Sequence, residues 1–395
     1  MRITIVATSA RWMTESCVQA GWQPEAIDLF GDWDLQRCCP TRQVSDLGQS
    51  LSDCCVRKAP VLFGTGFERL VVSGSLVNLP RLTLNSSIRS VKLCRAPKVW
   101  SKLLRKAGHI VPELFPDSVD LSHGQSEWLV KPVVGSGGLG IRRLDIASRA
   151  QIMPAEFLQE FVEGNPASLV ALADGQSARL LGSFHQIVGD TAFGAPGEFC
   201  FVGSVGPVSF GERIQQELEV IVNGVANGCG LRGIFGLDFV INRNRPVVVE
   251  INPRPTSSCE LLEMASGTSL MPLHVQALTK SLSDLESADA DAISGPACFG
   301  KSYVFWNRPI PATVTPLFHD WLIRQHSGRK AADIPMAHTM ISPESPIATV
   351  LASGPNSESV LVSLRELAKE LLDRLTNSQQ KSPGGELPGE SQVKF

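Results

Sequence analysis

The chain has 395 residues, a length that allows two or three domains. Hydrophobic residues make up 43%, charged residues 19%, and the formal net charge is −3, which excludes general disorder and the basic surface of a nucleic-acid-binding protein. The apolar run at residues 3–7 is too short for a secretory segment or a membrane span. The composition therefore predicts a soluble cytoplasmic protein with neither a nucleic-acid nor a membrane partner.

The ten cysteines form no CxxC pair and no cysteine–histidine spacing typical of zinc sites. In a long chain without an export signal, thiols are expected to be reduced and mostly buried. No cysteine is therefore a catalytic candidate.

Residues 1–93 show the alternation of strands and helices that predicts an α/β layer domain. The expected elements are strands at residues 2–8, 26–30 and 70–74 and helices at residues 12–20 and 44–56. Ser9, Asp32 and Asp34 follow predicted strand ends, where open α/β sheets bind ligands, although the pattern favours turn and capping roles for them.

Residues 94–290 have an α+β pattern, with helices expected at residues 97–107 and 212–229. The β-branched runs predict strands at residues 128–134, 140–144, 169–172, 178–182, 234–241 and 246–251.

A polar bridge at residues 281–294 precedes a small α+β subdomain expected at residues 295–376. Its last helix carries valine and leucine side chains on one face, which predicts packing against a core. The tail at residues 377–395 is rich in Ser, Gly, Pro and Gln and is expected to be disordered, because it cannot bury enough apolar surface.

A glycine-rich loop at residues 135–140 lies between two predicted strands and follows Lys131. Its GxGxxG pattern does not indicate a dinucleotide site, because a strand rather than a helix follows, and the absence of a following Lys-Ser/Thr pair excludes a Walker loop. A strand–loop–strand unit of this kind can cover a triphosphate with backbone N–H groups, and Lys131 would add positive charge. An ordinary glycine-rich hairpin fits the segment equally well.

Three oxygen-bearing side chains lie on two predicted neighbouring strands. Glu250 and Asn252 are two residues apart and therefore share one face of a strand, and Asp238 on the preceding strand can share that face across a hairpin. Two carboxylates and an amide carbonyl suit Mg²⁺, and carboxylates in apolar strands are costly unless paired or metal-bound. Arg254, in a Pro-X-Pro frame, is placed to contact a transferred phosphoryl group, although a surface-loop arginine is an equal interpretation.

In this order, the segments resemble the ATP-grasp superfamily over residues 1–375. The resemblance is carried by PKVWSKLL at residues 97–104, the glycine loop, QEFV at residues 159–162, and GLDFV followed by VVEINPRP. Within the superfamily, the chain is most similar to predicted carboligases related to biotin carboxylase and carbamoyl-phosphate synthase, a group that includes the tyramine–glutamate ligase of methanofuran synthesis. This resemblance implies a Rossmann-like domain at residues 1–93 before an ATP-grasp domain at residues 94–290.

The resemblance also implies a role for each part of the nucleotide site. Lys98 and Lys131 would hold the ATP phosphates under the glycine loop, and the main chain of the QEFV segment would meet the adenine. Many relatives carry a ribose-binding acid where this chain has Asn165-Pro166, and Glu163 is the substitute. The implied nucleotide-binding residues are Lys98, Lys131, Gly135, Ser136, Gly137, Gly138, Gly140, Gln159, Glu160, Phe161, Val162 and Glu163.

The implied activity is an ATP-dependent carboxylate–amine ligase that forms an amide through an acyl phosphate and releases ADP and phosphate. Arg254 and Lys131 are the catalytic candidates, and ATP and Mg²⁺ are the expected cofactors, with Mn²⁺ as an alternative cation. The partners would be a small-molecule carboxylate and an amine, with a role in C1-carrier cofactor synthesis implied by the subgroup. A homodimer is the default oligomeric state.

Two other functions stay open: an ATP-dependent carboxylase-like enzyme, for which the chain has no biotin-carrier lysine motif, and a non-catalytic nucleotide-binding sensor. A protein kinase is excluded because the chain has neither an His-Arg-Asp nor an Asp-Phe-Gly motif. Acceptor contacts are plausible at His185, Phe201, Gly203 and Ser204, although core packing is the favoured role of the aromatic side chains.

Overall fold

The computed structural model describes residues 1–48, 59–76, 82–115, 127–144, 153, 155–285 and 297–380. The strands are β1 (Arg2–Val6), β2 (Gln23–Asp28), β3 (Thr41–Gln43), β4 (Val61–Phe63), β5 (Leu114–Phe115), β6 (Trp128–Pro132), β7 (Arg142–Arg143), β8 (Glu156–Glu160), β9 (Asn165–Asp174), β10 (Ala178–Val188), β11 (Phe201–Gly206), β12 (Arg232–Asn242), β13 (Arg245–Asn252), β14 (Cys298–Phe305), β15 (Ala312–Thr313), β16 (Ala331–Ala332), β17 (Met340–Ile341) and β18 (Pro346–Gly354). The α-helices are Arg11–Gln19, Trp33–Cys38, Phe67–Val72, Ile88–Cys94, Pro97–Lys106, Glu212–Cys229, Cys259–Ser266, Met271–Ala277, Pro316–Ser327 and Ser357–Gln380.

The N-terminal part is a parallel sheet with strand order β3-β2-β1-β4, as expected for a Rossmann-like layer domain. The predicted third strand at residues 70–74 is wrong, because Leu70 and Val71 belong to the Phe67–Val72 helix and pack inward with Phe67. The buried apolar strand that pairs with β1 is instead β4, and all three of its residues are buried. A short apolar run does not distinguish a buried strand from one turn of a buried helix, and this explains the error.

Two further predictions about helices differ from the structure. The described part of the helix expected at residues 44–56, residues 44–48, is not α-helical, and the rest lies outside the described residues. An unpredicted helix, Trp33–Cys38, instead precedes β3. The last helix continues to Gln380, so residues 377–380 of the tail expected to be disordered are helical, and residues 381–395 lie outside the described residues.

The centre of the molecule is an eight-stranded sheet with strand order β13-β12-β9-β10-β11-β14-β18-β16. The pairs within it are antiparallel. Its strands come from both of the expected units at residues 94–290 and 295–376, so one sheet runs through both. The Glu212–Cys229 helix has the predicted bounds and buries Leu218, Ile221 and Val225 against one half of the sheet. The Ser357–Gln380 helix buries Val360, Leu364 and Leu371 against the other half.

A second, small sheet has strand order β5-β8-β6-β7 and carries the glycine loop between β6 and β7. Lys131 lies near the end of β6, opposite Phe157 of β8. The cleft between this small sheet and the edge strand β13 holds the side chains described below.

Candidate functional site

The strand register places the three expected metal ligands on one face of the central sheet. Asp238 of β12 pairs directly with Glu250 of β13, and Gly236 pairs with Asn252. Residues in register across antiparallel strands point to the same side, so the two carboxylates and the amide converge. On the next strand, Ser168 is in register with Asp238, and its buried hydroxyl has no hydrogen-bond partner in the described structure.

Asp238 is held by amide groups rather than by a cation. Its two carboxylate oxygens accept hydrogen bonds from Asn252 Nδ2 at 3.0 Å and from Gln186 Nε2 at 2.8 Å. Burial, together with the neighbouring Glu250 carboxylate, raises the pKa of Asp238 to about 7. Ionisation of Asp238 therefore costs free energy in this buried position, and a bound cation would lower that cost.

Glu250 has a different environment, because Arg95 Nη1 donates to its Oε1 at 2.5 Å. Burial opposes ionisation of Glu250, but the charges of Arg95 and Lys131 outweigh it and lower its pKa. The Arg95 side chain is only 9% exposed and also donates to the carbonyl oxygens of Val133 and Gly135 at 3.3 and 3.4 Å. Sequence reasoning missed Arg95, which lies between two helices and outside every motif used.

Lys131 is buried near both carboxylates without a direct ion pair to either in the described structure. Its Nζ donates to Gln159 Oε1 at 2.9 Å and contacts the Val249 carbonyl oxygen at 3.5 Å. Burial lowers the pKa of Lys131, and the nearby Glu250 and Asp238 carboxylates only partly compensate. Gln159, expected to meet the adenine through its main chain, is 1% exposed and orients this ammonium group with its side chain.

Arg95, Lys131 and Glu250 line an open cleft between the glycine loop, the start of the Pro97–Lys106 helix and β13, with about 470 Å³ of empty space that includes open solvent. Its lining combines one carboxylate, two cations and apolar side chains, a composition expected of a site for a charged ligand with an apolar part. The described lining residues are Cys94, Arg95, Pro97, Trp100, Lys131, Pro132, Val133, Gly135, Ser136, Gly138, Leu139, Ile141, Phe157, Val249, Glu250 and Ile251.

The glycine loop lies directly on the segment before β11. The Gly137 carbonyl oxygen accepts a hydrogen bond from Phe201 N at 2.8 Å. Gly138 has φ +73°, and a Cβ at this position would lie 1.8 Å from the Phe199 carbonyl oxygen, so only glycine allows this approach. Gly135, Ser136 and Gly138 line the cavity, as expected for a loop that covers a ligand.

The remaining expected nucleotide contacts stay predictions. The main-chain N–H groups of Glu160 and Phe161 donate to the carbonyl oxygens of Glu113 and Glu127, at 2.9 and 2.8 Å. Val162 is half-buried and Glu163 is exposed. Lys98 is also exposed, although Pro97 and Trp100 on either side of it line the cavity.

Arg254 is buried at 8% exposure, which excludes the surface-loop interpretation. Its Nε lies 2.9 Å from the Glu68 carboxylate of the N-terminal domain, and its Nη1 donates to the Pro255 carbonyl oxygen at 3.2 Å. Its charge nevertheless opposes part of the rise in the pKa of Asp238 that burial causes, and it adds to the effect of Arg95 and Lys131 in lowering the pKa of Glu250. The catalytic role of Arg254 stays a prediction, and its visible contact joins the two domains.

The donor set fits a hard divalent cation. Within the described residues no group of three His, Cys, Asp or Glu side chains is placed to hold a metal, so a site built from this chain alone would have two carboxylates and one amide oxygen. Mg²⁺ is commonly held by one or two carboxylates, with phosphate and water oxygens completing six ligands. The raised pKa of Asp238 and the unpartnered Ser168 hydroxyl agree with a missing polar partner at this place.

A second group of buried charges lies where the N-terminal domain meets the central sheet; we call it the junction cluster, and it consists of Arg11, Glu260, Lys301 and Asp333. Ser9 and Asp34, weak candidates from the sequence, belong to its surroundings: Ser9 Oγ donates to Asp333, and Asp34 accepts from the Asp333 and Ile334 N–H groups. Asp32, 5% exposed, lies beside them, and burial raises its pKa. These residues join parts of the fold.

The four suggested acceptor contacts lie on the neighbouring strands β10 and β11. His185 is exposed and packs edge-on against Phe210 at 5.0 Å, and Phe201 faces Tyr303 at 6.3 Å. Gly203 lies against the Lys301 main chain, and Ser204 is buried beside Ser258. The acceptor role of these four residues stays a prediction.

The central part of the chain is similar to a known domain family. Residues 99–258, less than half of the chain, match the model of the ATP-grasp domain. The match includes Lys131, the glycine loop, Asp238, Glu250, Asn252 and Arg254.

The similarity to individual proteins is more distant. The arginine-specific carbamoyl phosphate synthase large chain of Bacillus subtilis is 25% identical over 171 residues, which are 40% of this chain and 16% of that protein. The match therefore spans about a sixth of that relative.

Two solved structures share the fold over nearly their whole length. The L-amino acid ligase of Bacillus licheniformis has a TM-score of 0.66 at 15% identity and covers 93% of this chain and 97% of its own. The biotin carboxylase domain of Hydrogenobacter thermophilus 2-oxoglutarate carboxylase, in complex with MgADP and bicarbonate, has a TM-score of 0.67 at 13% identity and covers 95% and 93%. No helix in the described ranges is long and apolar enough to cross a membrane.

Proposed function

We propose that the protein is an ATP-dependent ligase that joins a small-molecule carboxylate to an amine. The observation that carries this proposal is the cavity itself, in which Lys131, Arg95 and the glycine loop surround the Glu250 carboxylate, with Asp238 paired to Glu250 on the neighbouring strand. A polyphosphate needs cations and backbone N–H groups, and its metal needs oxygen ligands, and this cavity presents both within one space.

In the proposed reaction, a carboxylate oxygen of the substrate attacks the γ-phosphorus of ATP, and the bond to the β-phosphate bridging oxygen breaks to release ADP. The amine nitrogen then attacks the acyl carbon, the carbon–oxygen bond to phosphate breaks, and the amide and inorganic phosphate leave while the nitrogen loses a proton to solvent. Mg²⁺, held by Asp238, Glu250 and Asn252, would supply charge stabilisation to the phosphates. Lys131 and Arg254 would stabilise negative charge on the transferred group, and Gln159 would keep Lys131 aimed at it.

The finer assignment is an amide-forming step in the synthesis of a C1-carrier cofactor. It is supported by the likeness of three further segments to the carboligase subgroup, namely QIVG at residues 186–189, ADIP at residues 332–335 and SPIATV at residues 345–350. Of these segments, ADIP contributes Asp333 to the junction cluster, so it has a structural role in this chain as well.

The experiment is ADP release by the purified protein with Mg²⁺-ATP and pools of carboxylic acids that include glutamate and bicarbonate, in the presence of hydroxylamine. Acid-dependent ADP together with a hydroxamate is the expected result and identifies the carboxylate. ADP release with bicarbonate alone would instead indicate the carboxylase-like alternative. Nucleotide binding without turnover on any pool would favour a sensor, and no nucleotide binding would contradict the proposal.

The matched variants are Glu250→Gln in the cavity and Glu217→Gln outside it. Glu217 also pairs with an arginine, Arg245, at 2.8 Å. Loss of turnover in the first variant and its retention in the second would link the activity to the cavity rather than to acidic residues in general.

A further inference from the structure

Arg95 contacts both halves of the candidate site at once. One guanidinium nitrogen binds Glu250 at 2.5 Å, and another donates to the carbonyl oxygens of Val133 and Gly135 at the base of the glycine loop. The same side chain lines the cavity. A single group thus links a candidate metal ligand to the loop that would cover the nucleotide.

The contact with Glu250 creates a conflict when a metal binds. A divalent cation that takes Glu250 Oε1 competes with the guanidinium for that oxygen and repels its positive charge, so it displaces Arg95 from its position 2.5 Å away. A guanidinium that leaves its carboxylate inside a buried site keeps only carbonyl partners, and an unpaired buried charge is costly. Metal binding alone is therefore opposed by Arg95.

A bound polyphosphate removes the free-energy cost of displacing Arg95 from Glu250. Phosphate oxygens accept two parallel hydrogen bonds from a guanidinium, so they replace the Glu250 carboxylate as a partner for Arg95. Lys98, three residues further on, is exposed, so Arg95 is the cation that this part of the chain presents to the cavity. The cavity also contains Lys131, close enough to share the phosphate charge.

We propose that Arg95 couples metal binding to nucleotide binding, by neutralising Glu250 in the ligand-free protein and moving to the phosphates when the metal takes Glu250. This inference rests on the proposed function, because it takes a polyphosphate nucleotide as the ligand. Arg95 is then a positioning residue that disfavours a metal without nucleotide. The coupling is reciprocal, so the nucleotide must also strengthen metal binding by the same factor.

The test measures the coupling directly, without turnover. Mn²⁺ binding to the protein alone is followed by the electron paramagnetic resonance of free Mn²⁺, and binding of a non-hydrolysable ATP analogue is followed by calorimetry in EDTA and in saturating Mn²⁺. In the wild type, metal alone should bind weakly and should strengthen analogue binding strongly. In Arg95→Ala, metal alone should bind about 10-fold more tightly, the analogue in saturating Mn²⁺ about 10-fold more weakly and the analogue in EDTA with little change, so the coupling should fall about 10-fold.

Arg245→Ala is the matched control. Arg245 lies on β13, the strand that carries Glu250, but it pairs with Glu217 at 2.8 Å. This variant should keep the wild-type coupling. If Arg95→Ala shows no cooperative thermal transition, Arg95→Lys is the second test variant. It keeps a cation beside Glu250 but has no two-pronged donor, so its coupling should be intermediate.

Wild-type metal affinity and wild-type coupling in the folded Arg95 variants would overturn this inference alone, since the nucleotide would still bind. A wild-type protein that binds no analogue, with or without Mn²⁺, would remove the proposed function and this inference together.

Discussion

Two clusters of buried charges in this protein contain the same numbers of cations and carboxylates but differ in how completely the charges are paired. The cavity cluster consists of Arg95, Lys131, Asp238 and Glu250, and the junction cluster of Arg11, Lys301, Glu260 and Asp333. Each has two cations and two carboxylates. Arg95, Lys131 and Glu250 of the first line the cavity, whereas the second joins the N-terminal domain to the central sheet.

In the junction cluster every member has a direct ionic partner. Arg11 lies 2.5 Å from Glu260 and 3.0 Å from Asp333, and Lys301 lies 2.5 Å from Glu260. Although burial opposes it, Arg11 and Lys301 lower the pKa of Glu260, and the Glu260 carboxylate raises the pKa of Lys301 to about 12. These shifts stabilise the charged forms.

In the cavity cluster only Arg95 and Glu250 form a direct ion pair within the described structure. Asp238 and Lys131 are held by amides, and burial shifts the pKa of each towards its neutral form. Complete pairing indicates a structural role, whereas incomplete pairing beside a cavity indicates a place for a ligand. Buried charge by itself does not distinguish the two.

Breaking the junction cluster should have the largest effect on stability. Glu260→Gln would leave Arg11 and Lys301 buried with less counter-charge, so we expect a loss of about 3–5 kcal/mol in the free energy of unfolding. Urea denaturation measures it. Glu370→Gln, which affects the exposed pair with Arg374 at 2.9 Å, should cost less than about 1 kcal/mol. Equal losses of unfolding free energy in the two variants would show that the junction cluster stabilises the fold no more than an exposed ion pair does.

Breaking the cavity cluster should affect turnover instead. Glu250→Gln should raise the barrier by about 2–4 kcal/mol, by analogy with the loss of one transition-state contact, while the free energy of unfolding falls by less than in Glu260→Gln. The variant removes a candidate ligand and the partner of Arg95, but it also relieves the repulsion of Asp238, and the Glu250 side chain is 30% exposed. ADP release and urea denaturation check the two parts, and wild-type turnover would contradict the site.

The pH dependence of stability should separate the clusters. The pKa of Asp238 is raised to about 7, so the folded protein binds a proton more tightly than the unfolded chain, and stability falls as pH rises from about 4 to 7. Over pH 5 to 8 this amounts to about 2–3 kcal/mol, and Asp238→Asn should abolish it. Urea denaturation in EDTA at both pH values, wild type against variant, isolates Asp238 from other titrating groups.

Asp333 should show the opposite sign. Although burial opposes it, Arg11 holds the pKa of Asp333 well below its usual range, so its contribution is complete above the unfolded-state pKa and lost only below about pH 4. Asp333→Asn should therefore destabilise equally at pH 5 and pH 8. A slope between these values in the difference between wild type and this variant would contradict the assignment.

The smallest expected effect concerns access to the cavity cluster. Gly137 and Gly138 both have positive φ, but only Gly138 approaches a neighbouring backbone, at Phe199. Alanine at either position costs about 1 kcal/mol of backbone strain, whereas Gly138→Ala also displaces the loop and should weaken nucleotide binding about 5- to 10-fold. Equal nucleotide affinities in the two variants, measured by calorimetry, would show that the contact with Phe199 does not matter.

The sequence predicted the local elements best where a pattern repeats over many residues. The Glu212–Cys229 helix has its predicted bounds, and the hairpin of β12 and β13 places Asp238 opposite Glu250 as expected from alternation along strands. Prediction failed where the pattern was short, as at Leu70 and Val71, which a single helical turn and a strand explain equally well.

The candidate site shows a similar contrast between residues that a local pattern selects and residues whose contacts are distant in sequence. The types and spacing of Lys131, Asp238, Glu250 and Asn252 were sufficient to select them, because strand alternation is a local property. Arg95 had no such signal, since its role depends on a partner 155 residues away. Arg254 could be selected, but its burial and its contact with Glu68, 186 residues away, could not.

By itself, the sequence determined the similarity of the central region to the ATP-grasp domain, most of its strands and long helices, and the set of candidate oxygen ligands, because each follows from spacing along the chain. Only the tertiary structure decided which buried charges are paired. Arg11 reaches Glu260 across 249 residues, and Arg95 reaches Glu250 across 155. Ionisation depends on burial and on neighbours in space, so the difference between a structural and a ligand-binding cluster exists only in the folded chain.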